Sequence, residues 1–522
     1  MGWVFLSGMM GSGKSSVGRA LARRLGMPFV DLDEHVAARE GRSVRALFHE
    51  RGEASFRELE ASSVAELIAG DSPCVVALGG GTVVRAATRR ALLAKGRLIT
   101  LTAPVEELAR RLRGVDDRPL LGDREVQDVL TSLVAERGPA YAECFAEVST
   151  AGLEPAQVTD LVAAALERER VVVPLGLRTY RVEIGAGSLE QVVEHTRRAS
   201  SVVLVTDAHV ERSWAARVRA GLGRQVCTSV VLEPGEEHKT LASVERIWDA
   251  ALDAKVDRDA VVVAVGGGVV GDLAGFAAST LLRGVALVQA PTSLLAMVDS
   301  SVGGKTGFDR AAGKNLVGTF HQPTAVLCDV AALATLPQEE LCSGLAEVVK
   351  AAWLAGEGAV AQLERDAEAL AARDVEALTR AVVASVALKA EIVADDERDR
   401  GRRALLNLGH TVGHALEAAS HYRGLRHGEA VGLGMLAAFA VEARLGASDA
   451  GAHAARVRRL LERLGLPTDL HARLGPDTLA FVATDKKRRQ GAIGFVLPGA
   501  PGCARVEPVT LEELRAALEP AA

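Results

Sequence analysis

The sequence predicts an α/β protein of two blocks that meet near residue 170, the second of which divides into a sheet half and a helical half. In the first block, apolar strand-like runs alternate with amphipathic helical stretches, which is typical of βαβ units with a parallel sheet. This alternation starts again after residue 170. Strand signals then nearly vanish from about Leu336 to Leu464, where helical stretches dominate. A length of 522 residues suits three or four domains.

The composition excludes several classes of protein. Hydrophobic residues make up 48% and charged residues 25%, which is the mix of a globular chain with several buried cores. A net charge of -6 gives no overall field toward nucleic acid or an anionic membrane. The longest apolar run, Ala430 to Val441, is too short to span a bilayer. Six cysteines without a CxxC pair fit reduced thiols, so we expect a cytoplasmic protein.

Apolar runs predict the strands of both blocks. In the first block they are Trp3 to Ser7, Cys74 to Leu78 and Arg97 to Leu101, and Thr150 to Arg170 is predicted to be a last helix and a connector. In the second block they are Arg170 to Val173, Tyr180 to Ile184, Val202 to Thr206 and Ala260 to Val265.

A phosphate-binding loop is predicted directly after the first strand. Gly8-Met-Met-Gly-Ser-Gly-Lys14-Ser15 follows an apolar run and opens a helical pattern, the context in which GxxxxGK[ST] binds nucleotide. Glycines let backbone amides converge on phosphates, Lys14 can reach the β and γ phosphates, and Ser15 can ligate Mg²⁺. The expected nucleotide-binding residues are Gly8, Gly11, Ser12, Gly13, Lys14, Ser15 and Ser16.

Further features of the first block indicate what is phosphorylated. Asp31 and Asp33 follow a strand-like run, where one carboxylate can support Mg²⁺ and the other can take a substrate hydroxyl. Arginine forks suit a planar carboxylate. The remaining motifs are Phe56-Arg57, Gly79-Gly80-Gly81, Arg118-Pro-Leu-Leu and Arg137 ahead of Gly-Pro-Ala-Tyr. In this order the motifs resemble shikimate kinase over nearly all of residues 1 to 165.

The resemblance implies a P-loop kinase domain at 1–165 that phosphorylates the shikimate 3-hydroxyl with ATP and Mg²⁺. It assigns Asp33, Lys14 and Arg118 to catalysis, Ser15 and Asp31 to the metal, Arg111 and Arg118 to the nucleotide, and Asp33, Arg57, Gly79, Gly80, Gly81 and Arg137 to the substrate. The alternative is a silent nucleotide sensor or oligomerisation module. A silent module has no need of both an acidic pair and clamping arginines.

A second glycine-rich loop lies in the second block. Gly266-Gly-Gly268-Val-Val-Gly271-Asp272 follows a predicted strand, precedes a helical pattern and formally satisfies GxGxxG. The acidic residue expected about 20 positions onward for a ribose is not obvious. The loop can still hold a pyrophosphate on its backbone amides.

Histidines and a glutamate predict a metal site. His410 and His414 are four residues apart, so a helix would place both imidazoles on one face. His427 heads another apolar helix, and Glu347 lies in Gly-Leu-Ala-Glu. Two imidazoles and one carboxylate suit an open tetrahedral site for a zinc-like ion. Cations and amides that favour an anionic substrate are Lys305, Lys314, Asn315, Arg403 and Asn407.

From about Val171 onward, the chain is similar to 3-dehydroquinate synthase. The similarity lies in the glycine-rich loop and the histidine motifs above, together with Gly235-Glu-Glu-His-Lys239, Pro291 to Lys305 and His427-Gly-Glu. The resemblance implies a Rossmann-like α/β NAD-binding domain at 171–336 and a mainly helical metal- and substrate-binding domain at 337–522. It implies conversion of 3-deoxy-arabino-heptulosonate 7-phosphate to 3-dehydroquinate with catalytic NAD and zinc or cobalt. It also implies a homodimer formed through this half.

The resemblance assigns the residues of the second block. The metal ligands are Glu347, His410 and His427, and the catalytic residues are His414, Lys305, Lys350 and Arg403. The NAD-binding residues are Asp207, Glu236, Lys239, Gly267, Gly268, Asp272, Thr292, Ser293, Lys305 and Lys314. The substrate residues are Arg283, Asp299, Lys314, Asn315, Lys389, Asn407 and Lys486 or Lys487.

One position departs from the family pattern, since Asp399 stands where the family usually has glutamate. The second block could alternatively be another sugar-phosphate cyclase or a metal-dependent polyol dehydrogenase. The leading hypothesis is a bifunctional enzyme that catalyses two non-consecutive steps of the shikimate pathway.

Overall fold

The computed structural model describes residues 2–113, 125–311, 313–420, 424–475, 478, 481, 488, 489 and 492–519. The chain forms two compact units, Met1–Arg181 and Val182–Ala522. The predicted site residues Arg118 and Lys486, and its alternative Lys487, lie outside the described residues.

The first unit is a parallel sheet with helices between its strands. The strands of this sheet are β1 (Trp3–Gly8), β2 (Phe29–Asp31), β3 (Val75–Ala77), β4 (Gly96–Thr102) and β5 (Ala146–Ser149); a further strand, β6 (Glu169–Val173), is not part of it. Its helices are α1 (Lys14–Leu25), α2 (Leu32–Glu40), α3 (Val44–Ala69), α4 (Ala86–Lys95), α5 (Val105–Leu112), α6 (Val126–Ala142) and α7 (Pro155–Leu166). The strand order β2-β3-β1-β4-β5 places fully buried β1 in the centre, as its apolar run predicts.

The carboxyl ends of three neighbouring strands place the motifs of the first unit. Strand β1 ends at the phosphate-binding loop, β2 ends at Asp31, and β3 is followed by the glycines 79–81. Because β3 pairs in parallel with both β1 and β2, these ends meet at one edge of the sheet. Ligand sites of open α/β sheets form at this edge.

The second unit begins with another mainly parallel sheet. Its strands are β7 (Tyr180–Ile184), β8 (Val202–Asp207), β9 (Val226–Leu232), β10 (Val261–Gly266), β11 (Ala286–Pro291), β12 (Lys305–Arg310), β13 (Gly313–Phe320) and β14 (Ala325–Cys328). Helices α8 (Val192–Thr196), α9 (Ala216–Leu222), α10 (Leu241–Asp253) and α11 (Gly268–Thr280) lie between them in the sequence. Strands β7, β14, β11, β10, β8 and β9 are neighbours in that order.

The helical half of the second unit follows from residue 338. It contains α12 (Gln338–Ala355), α13 (Glu357–Ala371), α14 (Val375–Asp395), α15 (His410–Ala419), α16 (His427–Arg444) and α17 (Ala450–Arg463). The last elements are β15 (Arg488–Arg489), β16 (Ala492–Leu497), β17 (Arg505–Thr510) and α18 (Leu511–Leu518). The predicted α/β class with a helical later part is confirmed. Among the described helices, none is long and apolar enough to cross a bilayer.

Two sheets were not predicted from the sequence. Strands β12 and β13 form an antiparallel hairpin, and β15, β16 and β17 form an antiparallel sheet near the C-terminus. The sequence of the hairpin does not alternate between apolar and polar residues, because four consecutive residues of β13 are exposed. Glycines of the two strands also lie in close backbone contact. A Cβ on Gly307 would lie 2.5 Å from the carbonyl oxygen of Val317.

Helices α15 and α16 pack with their backbones in contact. A Cβ on Gly434 would lie 1.9 Å from the carbonyl oxygen of Gly409, and one on Gly413 would lie 2.9 Å from that of Ala430. Large side chains are excluded from this contact. Because the two helices lie this close, the histidines at the start of α15 are near His427 at the start of α16.

We therefore expect Gly434→Ala to lower the free energy of unfolding of the second unit by about 1–3 kcal/mol, because the added methyl group must push the two helices apart. The measurement is the urea midpoint followed by tryptophan fluorescence. Gly451→Ala in α17 is the matched control, since a Cβ there meets nothing within 4 Å. Equal midpoints for the two variants would contradict the packing.

Candidate active sites

The loop after β1 has the backbone of a phosphate-binding loop. Gly8, Gly11 and Gly13 have φ angles of 136°, 80° and 92°, a region that side chains rarely allow. A Cβ on Gly8 would also lie 2.3 Å from the carbonyl oxygen of Leu101. The glycines are therefore required by the course of the chain, and the loop leads directly into the N-terminus of α1.

The polar side chains of this loop face one another. The ammonium of Lys14 donates hydrogen bonds to the carbonyl oxygens of Gly8 at 2.9 Å and Met9 at 3.1 Å. The hydroxyl of Ser15 donates to Asp31 at 2.6 Å, which joins the two residues predicted for Mg²⁺. The hydroxyl of Ser12 is buried without a hydrogen-bond partner in the described residues, which fits a phosphate oxygen as acceptor.

The other predicted nucleotide residues differ in position. Arg111 donates to the carbonyl oxygens of Gly11 at 3.3 Å and Thr150 at 2.8 Å, so its guanidinium packs against the loop. Ser16 is exposed on α1. The carboxylate of Asp31 also accepts from the amide of Asp33 at 3.1 Å and thereby caps α2.

The glycines after β3 let the substrate-side groups converge. A Cβ on Gly79 would lie 2.9 Å from Asp33 Oδ1, and one on Gly81 would lie 2.1 Å from the guanidinium carbon of Arg57. The carbonyl oxygen of Gly80 accepts from Arg137 at 3.2 Å. The structure therefore brings together all the described residues predicted for this substrate.

Two glutamates missed by the sequence analysis contact the arginines. Arg57 pairs with Glu60 at 2.5 Å and with Glu53 at 2.8 Å, and Glu53 also lies 3.7 Å from Arg137. Burial raises the pKa of Glu60, against the charge of Arg57. Nε of Arg137 is buried without a partner in the described part of the chain. Their spacings of four and three residues from Arg57 on α3 could have identified both glutamates.

The second glycine-rich loop lies where the ends of three parallel strands meet. Strand β10 pairs with β8 and β11, and α11 begins at Gly268. A Cβ on Gly268 would lie 3.1 Å from Ser300 Oγ, whereas one on Gly267 would make only ordinary contact with Ser293 at 3.7 Å. Asp207 ends β8, and the amide of Thr292 donates to the carbonyl oxygen of Gly266 at 2.9 Å.

Lys239 ties this loop to the hairpin. Lys239 is 4% exposed, and its ammonium lies 2.7 Å from Asp272 and donates to Asn315 at 2.7 Å. Burial disfavours the ammonium, but Asp272 and Glu236 outweigh it and raise the pKa of Lys239. Lys314 lies 3.7 Å from Glu236. The hairpin and the glycine-rich loop are thus linked through these polar and charged side chains.

Glu347, His410 and His427 converge from three helices. Oε1 of Glu347 lies 3.5 Å from Nε2 of each histidine, and the three ligand atoms fall within the spacing of a metal site. This oxygen is buried and has no hydrogen-bond partner in the described residues. Burial disfavours a charged imidazole, but Glu347 and Glu417 outweigh it and raise the pKa of His427 to about 10. The cluster therefore attracts positive charge, and its donors fit a divalent cation.

Lysines and a carboxylate surround this cluster. Lys350 forms an ion pair with Glu347 and donates to the carbonyl oxygen of Leu406 at 2.9 Å. Lys389 pairs with Asp299 at 2.5 Å. Burial would raise the pKa of Asp299, but the charges of Lys389 and Lys350 outweigh it and lower that pKa to about 2. Asp299 is therefore anionic at neutral pH.

The loop after α14 adds further predicted residues. Arg403 is buried and donates to the carbonyl oxygens of Glu397 at 2.6 Å and Gly303 at 3.1 Å. Asp399 has a φ of 56°. Although its side chain is shorter than the glutamate that is usual in the family, it forms an ion pair with Lys305. Asn407 donates to the carbonyl oxygen of Ala404 at 3.0 Å.

His414 and Glu417 lie beside the histidines of the metal cluster. His414 is exposed on α15, with its ring centre 5.2 Å from that of His410 and 5.9 Å from that of His427. Glu417, which the sequence analysis missed, lies one turn from His414 and 3.3 Å from Nδ1 of His427.

The predicted substrate residue Arg283 is exposed. Among the described residues, it forms no hydrogen bond or ion pair with the other predicted site residues.

Comparison with known proteins identifies the family of each unit. The shikimate kinase family model matches residues 10–167, and the N- and C-terminal 3-dehydroquinate synthase models match residues 229–343 and 344–488. The 3-dehydroquinate synthase of Symbiobacterium thermophilum is 45% identical over 353 residues, covering 66% of this chain and 98% of that protein. The corresponding Caulobacter vibrioides enzyme is 46% identical over 349 residues, covering 64% and 94%.

Among solved structures, the 2-epi-5-epi-valiolone synthase ValA of Streptomyces hygroscopicus subsp. jinggangensis, with NAD⁺ and Zn²⁺ bound, is 30% identical with a TM-score of 0.59. That match covers 65% of this chain and 95% of ValA. The 2-deoxy-scyllo-inosose synthase, at 24% identity, shares the fold. The chain therefore belongs to the 3-dehydroquinate synthase family through its second unit and carries a shikimate kinase domain in its first.

Proposed function

We propose that this chain is a bifunctional enzyme of the shikimate pathway. Its first unit phosphorylates shikimate to shikimate 3-phosphate, and its second unit converts 3-deoxy-arabino-heptulosonate 7-phosphate to 3-dehydroquinate and phosphate. The observation that carries the second activity is the convergence of Glu347, His410 and His427 around an unpaired buried oxygen. The first activity is supported by Asp33, the paired arginines and the glycines between them.

The first unit is proposed to act by positioning and charge. Asp33 accepts the proton of the attacking hydroxyl, Lys14 binds the transferred phosphate, and Ser15 and Asp31 hold Mg²⁺ of ATP. Arg57 and Arg137 bind the substrate carboxylate, which must compete with Glu53 for both guanidinium groups. Arg118 is proposed to contact the phosphates.

The second unit is proposed to bind NAD and a zinc or cobalt ion. When bound, the ion would polarise a substrate hydroxyl, and NAD would take up and return a hydride within one turnover. The chain's own cations, among them Lys350, Lys389 and Arg403, hold the anionic substrate and stabilise developing charge. Exposed His414 is proposed to hold or release a proton at its imidazole.

The domain limits, the location and the oligomeric state are also proposals. Domain limits at 1–165, 171–336 and 337–522 are supported by the motifs of each segment. A cytoplasmic location is supported by the six cysteines, which are all unpaired. A homodimer through the synthase half is supported by the family resemblance alone, and sedimentation of the purified chain tests it.

The decisive assay supplies the heptulosonate phosphate with substoichiometric NAD and zinc or cobalt. We expect many turnovers of phosphate release without net NADH, and 3-dehydroquinate as the product by mass spectrometry. NADH that accumulates with turnover would instead indicate a polyol dehydrogenase. A different carbocycle would indicate another sugar-phosphate cyclase.

The two activities should be separable by substitution. Asp33→Ala is expected to abolish shikimate phosphorylation and to leave dehydroquinate formation intact, because no residue of the second site is altered. His410→Ala is expected to remove bound metal and only the second activity. Each variant is the control for the other. Loss of both activities in a folded variant would reject independent sites, and unchanged kinase activity in Asp33→Ala would reject Asp33 as the proton acceptor. A wild-type chain that does not phosphorylate shikimate would support a silent module.

Gly81→Ala tests the convergence of the kinase groups. The new methyl group would lie 2.1 Å from the guanidinium carbon of Arg57, a flexible side-chain end that can move without unfolding the chain. We expect the shikimate KM to rise at least about tenfold, as for a lost charged contact. Gly138→Ala is the control, since a Cβ there meets nothing within 4 Å. A wild-type KM in Gly81→Ala would place Arg57 outside the binding site.

A further inference from the structure

Glu417 is a buried carboxylate whose two oxygens face different functional groups. It is 5% exposed on α15. Its Oε2 lies 3.3 Å from Nδ1 of His427, and its Oε1 lies 3.8 Å from the ammonium of Lys314. A carboxylate in this position costs desolvation energy, which its two positive or hydrogen-bonding neighbours offset.

The contact with His427 decides which ring nitrogen is available to a cation. Nε2 of His427 faces Glu347, and Nδ1 faces Glu417. When a cation replaces the proton on Nε2, an acceptor at Nδ1 keeps the other proton there, so that the lone pair of Nε2 faces the cation and the ring becomes a stronger metal ligand. His410 has the equivalent arrangement, with its Nδ1 3.2 Å from the carbonyl oxygen of Leu408.

The contact with Lys314 reaches the hairpin. Lys314 belongs to β13, and its ammonium also lies 3.7 Å from Glu236 of the proposed NAD-binding set. Glu417 therefore connects the start of α16 to the strand that carries Lys314 and Asn315. It thus contacts both a histidine of the metal cluster and a lysine of the hairpin.

We propose that Glu417 is a positioning residue of the second unit, which fixes His427 with Nε2 toward the cation and anchors Lys314 beside the nucleotide loop. This inference rests on the proposed metal site. It assigns Glu417 no contact with the ion or the substrate.

A competing use of the same residues is a second cation site. Ligand atoms of His414, Glu417 and His427 also lie within 4.8 Å of one another. The ammonium of Lys314 beside Glu417 opposes a second cation there, and His427 would have to bridge two ions through both ring nitrogens. The geometry therefore favours the positioning role.

The test compares Glu417→Gln with Glu442→Gln in the full-length chain. Glu442 is an equally buried carboxylate on α16 that accepts from the amide of Gly499 and pairs with Arg505, so it controls for loss of any buried charge. Zinc affinity is measured by competition with a chelator, and zinc stoichiometry by dialysis. The visible absorption of the Co²⁺-loaded chain reports the ligand geometry.

We expect one ion per chain in all three proteins. Glu417→Gln should bind zinc about 10–100-fold more weakly than the wild type and show an altered Co²⁺ spectrum. Glu442→Gln should match the wild type in both readouts, even if its thermal midpoint falls. Should Glu417→Gln not fold, Glu417→Asp keeps the charge on a shorter arm, and its zinc affinity is expected to fall below that of the wild type.

The outcomes separate the inference from the function on which it rests. Wild-type affinity and spectrum in Glu417→Gln, or in Glu417→Asp if only that variant folds, overturn the positioning role alone. Two ions in the wild type that fall to one in Glu417→Gln overturn it in favour of a second cation site. A wild-type chain that binds no zinc or cobalt overturns the proposed metal site itself.

Discussion

The second unit is organised around a buried carboxylate that the protein does not satisfy by itself. Glu347 is 2% exposed, and its Oε1 accepts no hydrogen bond within the described residues. A buried ionised group without partners costs several kcal/mol of folding free energy, so it persists where the surrounding structure compensates. Here Lys350 neutralises one oxygen, and two imidazoles face the other. The oxygen without a hydrogen-bond partner and the two imidazoles beside it are therefore placed to bind a cation.

Both units position their chemistry by the same rule of parallel sheets. Loops after neighbouring strands emerge at one edge, so residues far apart in sequence meet without a dedicated element. In the first unit this brings the phosphate-binding loop beside Asp33, and in the second it brings Gly267 beside Ser293. Glycine is then needed wherever backbone must approach a functional group, as at Gly79 and Gly81.

Carboxylates that touch cations recur at both sites and hold them in place before substrate arrives. Glu53 and Glu60 restrain Arg57, while Glu417 restrains His427 and Lys314. Such contacts cut the entropy cost of ordering long side chains on binding. They also mean that an anionic substrate must compete with the protein's own carboxylates.

The sequence by itself determined the α/β class, the two motif sets and the ligand types, because strand runs, glycine spacing and the His-x₃-His pattern are local. It did not identify Glu417, Glu53 or the β12–β13 hairpin. The family resemblance also assigned Glu347, His410 and His427 to one metal ion, but only the tertiary structure placed their ligand atoms within 4.8 Å of one another and paired Asp399 with Lys305. Those contacts join residues dozens of positions apart, and their geometry depends on how helices and strands pack, which no local pattern encodes.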